Sequence, residues 1–123
     1  MRSGDFEAEL TAGPEAVPRL RHAVRAHLRR ECPDVELAVS ELLGNVVRHV
    51  GTGTPVTLRV TGAGGTTRVE VTDRAPAAVA APRSPSPDEE SGRGLALLEA
   101  LATRWGVVRG TGSKTVWCEL DGS

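Results

Sequence analysis

A chain of 123 residues, 39% hydrophobic and 25% charged, has the length and composition of one soluble globular domain and is too short for two. A net charge of −1 and an aromatic content of 2% supply neither a basic surface nor a stacking platform, which argues against a direct nucleic-acid partner. No apolar run reaches the length of a bilayer span, and the polar start Met1-Arg-Ser-Gly-Asp-Phe6 lacks the core of a signal peptide. Cys32 and Cys118 stand far apart, with no CxxC pair and no metal-ligand spacing to histidine, so they read as thiols of a reducing compartment. The expectation is a cytoplasmic protein without a membrane partner. Basic residues are nearly all arginine, Lys114 being the one lysine, a bias that GC-rich coding accounts for.

Taken in order, Phe6 to Leu10 alternates weakly and predicts a short edge strand. Thr11-Ala-Gly-Pro14 is a turn, and Pro14 with Glu15 suits the first turn of a helix. Val17, Leu20, Val24 and Leu28 form the buried stripe of that helix, while His22 and His27 read as surface residues. Cys32-Pro-Asp34 breaks it, with Asp34 as N-cap of a second helix.

The second helix carries the unusual feature. Val39, Leu42, Leu43, Val46 and Val50 make an apolar stripe, and Gly51 follows where a helix takes a left-handed residue. Glu41, Asn45 and His49 are spaced i, i+4, i+8 and share another face. Asparagine has poor propensity in a helix interior, so its presence there asks for a reason beyond filling space.

Pro55 to Thr61 then predicts a half-buried strand with Val56, Leu58 and Val60 inward. Gly62-Ala-Gly-Gly65 turns the chain into an antiparallel partner, Thr67 to Asp73, with Val69 and Val71 inward. From Arg74 to Glu90 prolines are scattered among small residues, which excludes a helix or an inner strand. A loop of that length inside one domain is usually functional, and it reads as a lid over about 74–91. Ser91-Gly-Arg-Gly94 opens a third helix with Leu95, Leu98, Leu101 and Ala102 apolar. A last hairpin runs through Trp105 to Arg109 and Lys114 to Leu120. In its second strand Val116, Cys118 and Leu120 share one face, and Thr115, Trp117 and Glu119 the other; alternation leaves open which is the core.

Gly92-Arg-Gly94 lacks the third glycine of the dinucleotide fingerprint and follows no strand, so a Rossmann site is rejected. Free backbone N–H groups at a helix start nevertheless suit an anion. Asp73, ending a strand, is either a turn-forming aspartate or an acceptor for the exocyclic amine of adenine. In sequence order, Glu-x3-Asn on a helix, a strand ending in Asp, a long loop and a Gly-x-Gly helix start resemble the Bergerat ATP-binding fold. That superfamily includes gyrase, histidine kinases and the ninety-kilodalton heat-shock chaperone. Within it, Ser40-Glu-Leu-Leu-Gly-Asn-Val-Val-Arg-His49 resembles the N-box of the anti-sigma-factor serine kinases. Ser91-Gly-Arg-Gly-Leu-Ala-Leu-Leu-Glu99, Trp105-Gly106 and Lys114-Thr-Val-Trp117 are similar to the same branch, so the resemblance spans about Phe6 to Leu120.

The resemblance implies a two-layer α/β sandwich over residues 1–123, with a mixed, mostly antiparallel sheet and three helices on one face. It implies ATP and Mg²⁺ as cofactors, Asn45 as the protein ligand to the metal and Glu41 as general base. Asp73 would read adenine, Gly92 and Gly94 would approach the phosphates, Arg93 would add a charged contact, and Thr115 would sit near the base. The activity implied is transfer of the γ-phosphate to a serine or threonine of an antagonist protein by an anti-sigma factor that also sequesters a sigma factor. The uncovered sheet face or the outer helix surface would serve docking or homodimerisation. One departure stands out: the superfamily's Asp-x-Gly-x-Gly reads Asp73-Arg-Ala-Pro-Ala77, with both glycines replaced. That favours an alternative, a nucleotide-binding module that sequesters its partner without catalysis. A histidine-kinase catalytic fragment is disfavoured, since no phosphoacceptor helix pair precedes the first helix.

Overall fold

The computed structural model describes residues 5–28, 33–51, 53–74 and 96–121. They form β1 (Phe6–Thr11), α1 (Ala16–Leu28), α2 (Pro33–His49), β2 (Pro55–Ala63), β3 (Thr66–Asp73), α3 (Ala96–Leu101), β4 (Arg104–Gly110) and β5 (Ser113–Asp121). The sheet has five strands in the order β1-β2-β3-β5-β4, and each neighbouring pair is antiparallel. The two hairpins, β2–β3 and β4–β5, lie side by side through β3 and β5, and β1 takes the edge that its weak alternation predicts. The expected sheet was mixed; among the described strands it is antiparallel throughout.

Period-two burial decides which face of each strand meets the helices. Val56, Leu58 and Val60 of β2, Val69 and Val71 of β3, and Val116, Cys118 and Leu120 of β5 are buried on that side. The alternation left open in the last strand is thereby settled: Cys118 points into the core and Trp117 away from it. Leu42, Leu43, Val39 and Val46 of α2 lay the helix stripe across β3 and β5. Helix α1 packs on α2 and β1, and α3 adds Leu98 beside α2 and β4. The described helices therefore cover one face, and the described core is the single layer between them and the sheet.

A bidentate ion pair fixes α1 against α2. Arg25 Nε and Nη2 donate to Glu36 Oε2 and Oε1, both at 3.0 Å, with Glu36 buried. Fork geometry satisfies both carboxylate oxygens, which is what allows an acid to sit in a helix–helix seam. The sequence reading assigned no partner to either residue. Its available signal was an acid, Glu36, one turn ahead of Ser40 within the buried stripe of α2.

The uncovered face is polar, and its charges are joined to one another. Arg59 reaches Glu7 at 3.5 Å and Glu70 at 4.0 Å; Arg68 joins Glu70 at 2.6 Å and Glu119 at 2.9 Å; Arg104 meets Glu119 at 2.7 Å. The chain of ions runs across all five strands. Arg68 also stacks over Trp117, 4.1 Å from the ring centroid. Trp117 in turn lies flat on Gly106, where an added Cβ would meet the indole at 3.0 Å. Glycine at 106 is thus the seat of the tryptophan. Hydrogen bonding to Arg104, then to Arg68, holds the Glu119 carboxyl below its usual range, and bonding to Glu70 raises the Arg68 guanidinium.

Candidate functional site

Helix α2 ends above the same end of the sheet at which β3 ends. Val50 N–H and Gly51 N–H both donate to the carbonyl of Val46, at 2.8 and 3.0 Å. Gly51 leaves the helix at φ 119°, a conformation side chains resist, as its position past the stripe predicts. Thr54 Oγ1 then donates to Gly51 O at 2.9 Å, and β2 begins at Pro55. Val56 is the register partner of Asp73, and Arg74 N–H donates to Pro55 O at 3.1 Å. A short connection therefore ties the C-terminal end of α2 to the strand end that carries Asp73. Asn45 lies four residues before the end of α2, a rise of about 6 Å.

The two polar groups at this end are deeply covered. Asn45 is 1% exposed and Asp73 is 3% exposed. Asn45 Oδ1 is buried and accepts no hydrogen bond among the described residues. Leaving a buried acceptor unsatisfied costs about 1–3 kcal/mol, so an inner helix position has little reason to keep one unless something else supplies the missing partner. Glu41 lies one turn earlier on α2 and is only partly buried. Ser40, adjacent in the motif, is turned inward on its own helix: its Oγ donates to Glu36 O at 3.1 Å.

The structure brings Asn45 and Asp73 to one end of the sandwich, with Glu41 a turn earlier on α2. It does not bring Thr115 there. Thr115 is the register partner of Thr72, and the two hydroxyls are 2.7 Å apart on the uncovered face. Asp73, the next residue along β3, belongs to the opposite face. The residue across from Asp73 is Lys114, on the helix side with Val116, Cys118 and Leu120. The motif proposes Thr115 near the base; the register puts Lys114, not Thr115, on the face of Asp73. Gly92, Arg93 and Gly94 and the loop from 75 to 91 lie outside the described residues, as does the side chain of His49.

Among the described residues no group of three or more His, Cys, Asp or Glu could hold a metal ion. A lone carboxamide oxygen does not make a metal cage. It does fit Mg²⁺, a hard cation that takes one or two protein oxygens and completes its shell from phosphates and water. Cys118, the other chemically interesting side chain, is spent on packing: burial pushes its thiol up to about 12. No helix among the described residues is long and apolar enough to cross a membrane.

The fold agrees with the comparisons to known proteins. Residues 10–119 match the family model of the Histidine kinase-like ATPase domain, and the chain belongs to that family. The family implies ATP as the bound nucleotide. Over 88 residues the chain is 47% identical to SCO4941 of Streptomyces coelicolor, an uncharacterized protein, covering 68% of this chain and 82% of that one. In fold it is similar to the RsbU and RsbW domains of Rv1364c from Mycobacterium tuberculosis, with TM-score 0.65 and 24% identity. That match covers 96% of this chain, which spans 32% of the length of the solved one.

Proposed function

We propose that this chain is a Mg²⁺-dependent ATP-binding regulator of the anti-sigma-factor type, a single domain that phosphorylates a serine or threonine of an antagonist protein. The observation that carries the reading is Asn45: an asparagine 1% exposed, inside a helix, whose Oδ1 accepts no hydrogen bond among the described residues. The N-box it belongs to and the family match support ATP as the ligand, and the fold match to a protein bearing an RsbW domain supports the regulatory branch.

Bound Mg²⁺ would supply charge neutralisation on the triphosphate. Asn45 Oδ1 would be the protein's oxygen on that ion, held in place because the surrounding helix stripe is buried. Asp73, fixed at the end of a central strand, would accept from the exocyclic amine of adenine. Glu41 would take the proton of the attacking hydroxyl; its partial exposure leaves room for a partner's side chain to reach it. Phosphoryl transfer asks mainly for positioning and charge neutralisation, so these few groups suffice. Gly92, Arg93 and Gly94 would complete the phosphate contacts from the entry to α3, and a sigma factor or its antagonist would dock on an outer surface of a monomer or homodimer.

Transfer of labelled phosphate from ATP to the antagonist protein tests the catalytic claim. Wild type should label it, and Glu41→Ala should lower the rate by about 10²–10⁴ while still binding ATP. The replaced glycines in Asp73-Arg-Ala-Pro-Ala77 favour a second reading, a module that binds nucleotide and sequesters its partner without transfer. Equal binding by both proteins with no label transferred by either would select that reading.

A further inference from the structure

We propose that Lys114 is the hydrogen-bond donor that reads the nucleobase together with Asp73, an inference that rests on the ATP-binding reading above. The two residues are register partners on β3 and β5. Directly opposed residues on one face of an antiparallel pair have Cβ atoms about 4.5–5.5 Å apart. Both belong to the helix-covered side: Asp73 continues the inward series Val69, Val71, and Lys114 precedes Val116, Cys118, Leu120. Lys114 is the chain's one lysine, and it is half-buried on the face of Asp73, whereas Arg59, Arg68 and Arg104 lie on the outer face.

The chemistry of the pair matches one edge of adenine. The exocyclic N6 amine donates, and a ring nitrogen on either side of it, N1 or N7, accepts. A carboxylate alone recognises only the donor. An ammonium beside it supplies the complementary donor for the ring nitrogen, and its four-carbon stem can reach past the strand end to do so. Arg109, the β4 residue opposite Lys114, is exposed and one strand farther from Asp73, so it is the less suitable donor.

Three nucleotides separate the alternatives: ATP, 1-deaza-ATP and 7-deaza-ATP, each titrated with Mg²⁺ into wild type, Lys114→Met and Lys114→Arg. A hydrogen bond to a charged donor in a partly open site should be worth about tenfold in affinity. Wild type should bind one of the two deaza analogues about tenfold more weakly than ATP. Lys114→Met should lose about the same factor on ATP and no longer distinguish that analogue, whereas Lys114→Arg should retain most of the discrimination. Melting of the three proteins without nucleotide separates loss of the donor from loss of the fold. Unchanged ATP affinity in Lys114→Met overturns the inference, as does a weakened variant that keeps the full discrimination. So does tighter ATP binding by Lys114→Met, which would mean that lysine competes with the base for Asp73. If wild type binds none of the three, the ATP reading itself falls and the inference falls with it.

Discussion

Strand β3 shows the two sides of this molecule in eight residues. Val69, Val71 and Asp73 turn to the helices, while Arg68, Glu70 and Thr72 turn outward. On the outer side polar groups answer one another: Glu70 has Arg68 and Arg59, and Thr72 has the hydroxyl of Thr115. On the inner side the layer is apolar until the strand end, where Asp73 and, from the helix above, Asn45 enter it, the latter with an oxygen that accepts nothing among the described residues. The contrast teaches where to look for function. The charge-rich face is a connected network of ion pairs, and the candidate functional signal is a polar atom left unsatisfied in a largely apolar layer.

Substitutions on the two sides should therefore differ in size and in sign. Leu42 is fully buried at the centre of α2, and Leu42→Ala should cost about 2–5 kcal/mol in chemical denaturation. Cys118 gives a pH-dependent test of the inner side. Its folded-state thiol is held near 12 against an ordinary 9.0, so the unfolded chain releases its proton first. Stability should then fall as pH rises above about 9, with a slope approaching 1.4 kcal/mol per pH unit. Cys118→Ala, less stable overall, should lack that alkaline slope.

Asn45→Ala carries the sign test. Removing an unsatisfied acceptor and gaining helix propensity should raise the stability of the nucleotide-free protein by about 1 kcal/mol, less any cavity it leaves. A polar-to-alanine change on the outer side should do the reverse on a smaller scale: Arg68→Ala breaks contacts to Glu70, Glu119 and Trp117 and should cost at most about 1 kcal/mol. Salt should shrink that difference, and so should acid, because Glu119 is held ionised by its arginines and loses that advantage only below the usual carboxylate range.

Much of this arrangement was legible in the chain itself. The 3.6-residue stripe of α2, Gly51 at its end and the two-residue alternation of β2 and β3 each rest on local geometry, so they carry straight from sequence to structure. Asn45 was legible too, because a poor helix former in a buried helix contradicts local preference. What local periodicity does not encode is register between strands distant in sequence. Thr115 and Lys114 differ by one residue, and only the pairing of β5 with β3 decides which of them shares a face with Asp73. The Arg25–Glu36 bond was hidden for a related reason: it joins two helices whose relative rotation no single stripe specifies.

The central claim, that the unsatisfied oxygen of Asn45 awaits a metal-bound triphosphate, is tested most directly by unfolding wild type and Asn45→Ala with ATP, with and without Mg²⁺. Wild type should gain about 2.7 kcal/mol at nucleotide a hundredfold above its dissociation constant, and lose most of that gain when Mg²⁺ is withheld. Asn45→Ala should start more stable and respond weakly to ATP whether or not the metal is present. An equal Mg²⁺-dependent gain in both proteins, or none in wild type, would contradict the account.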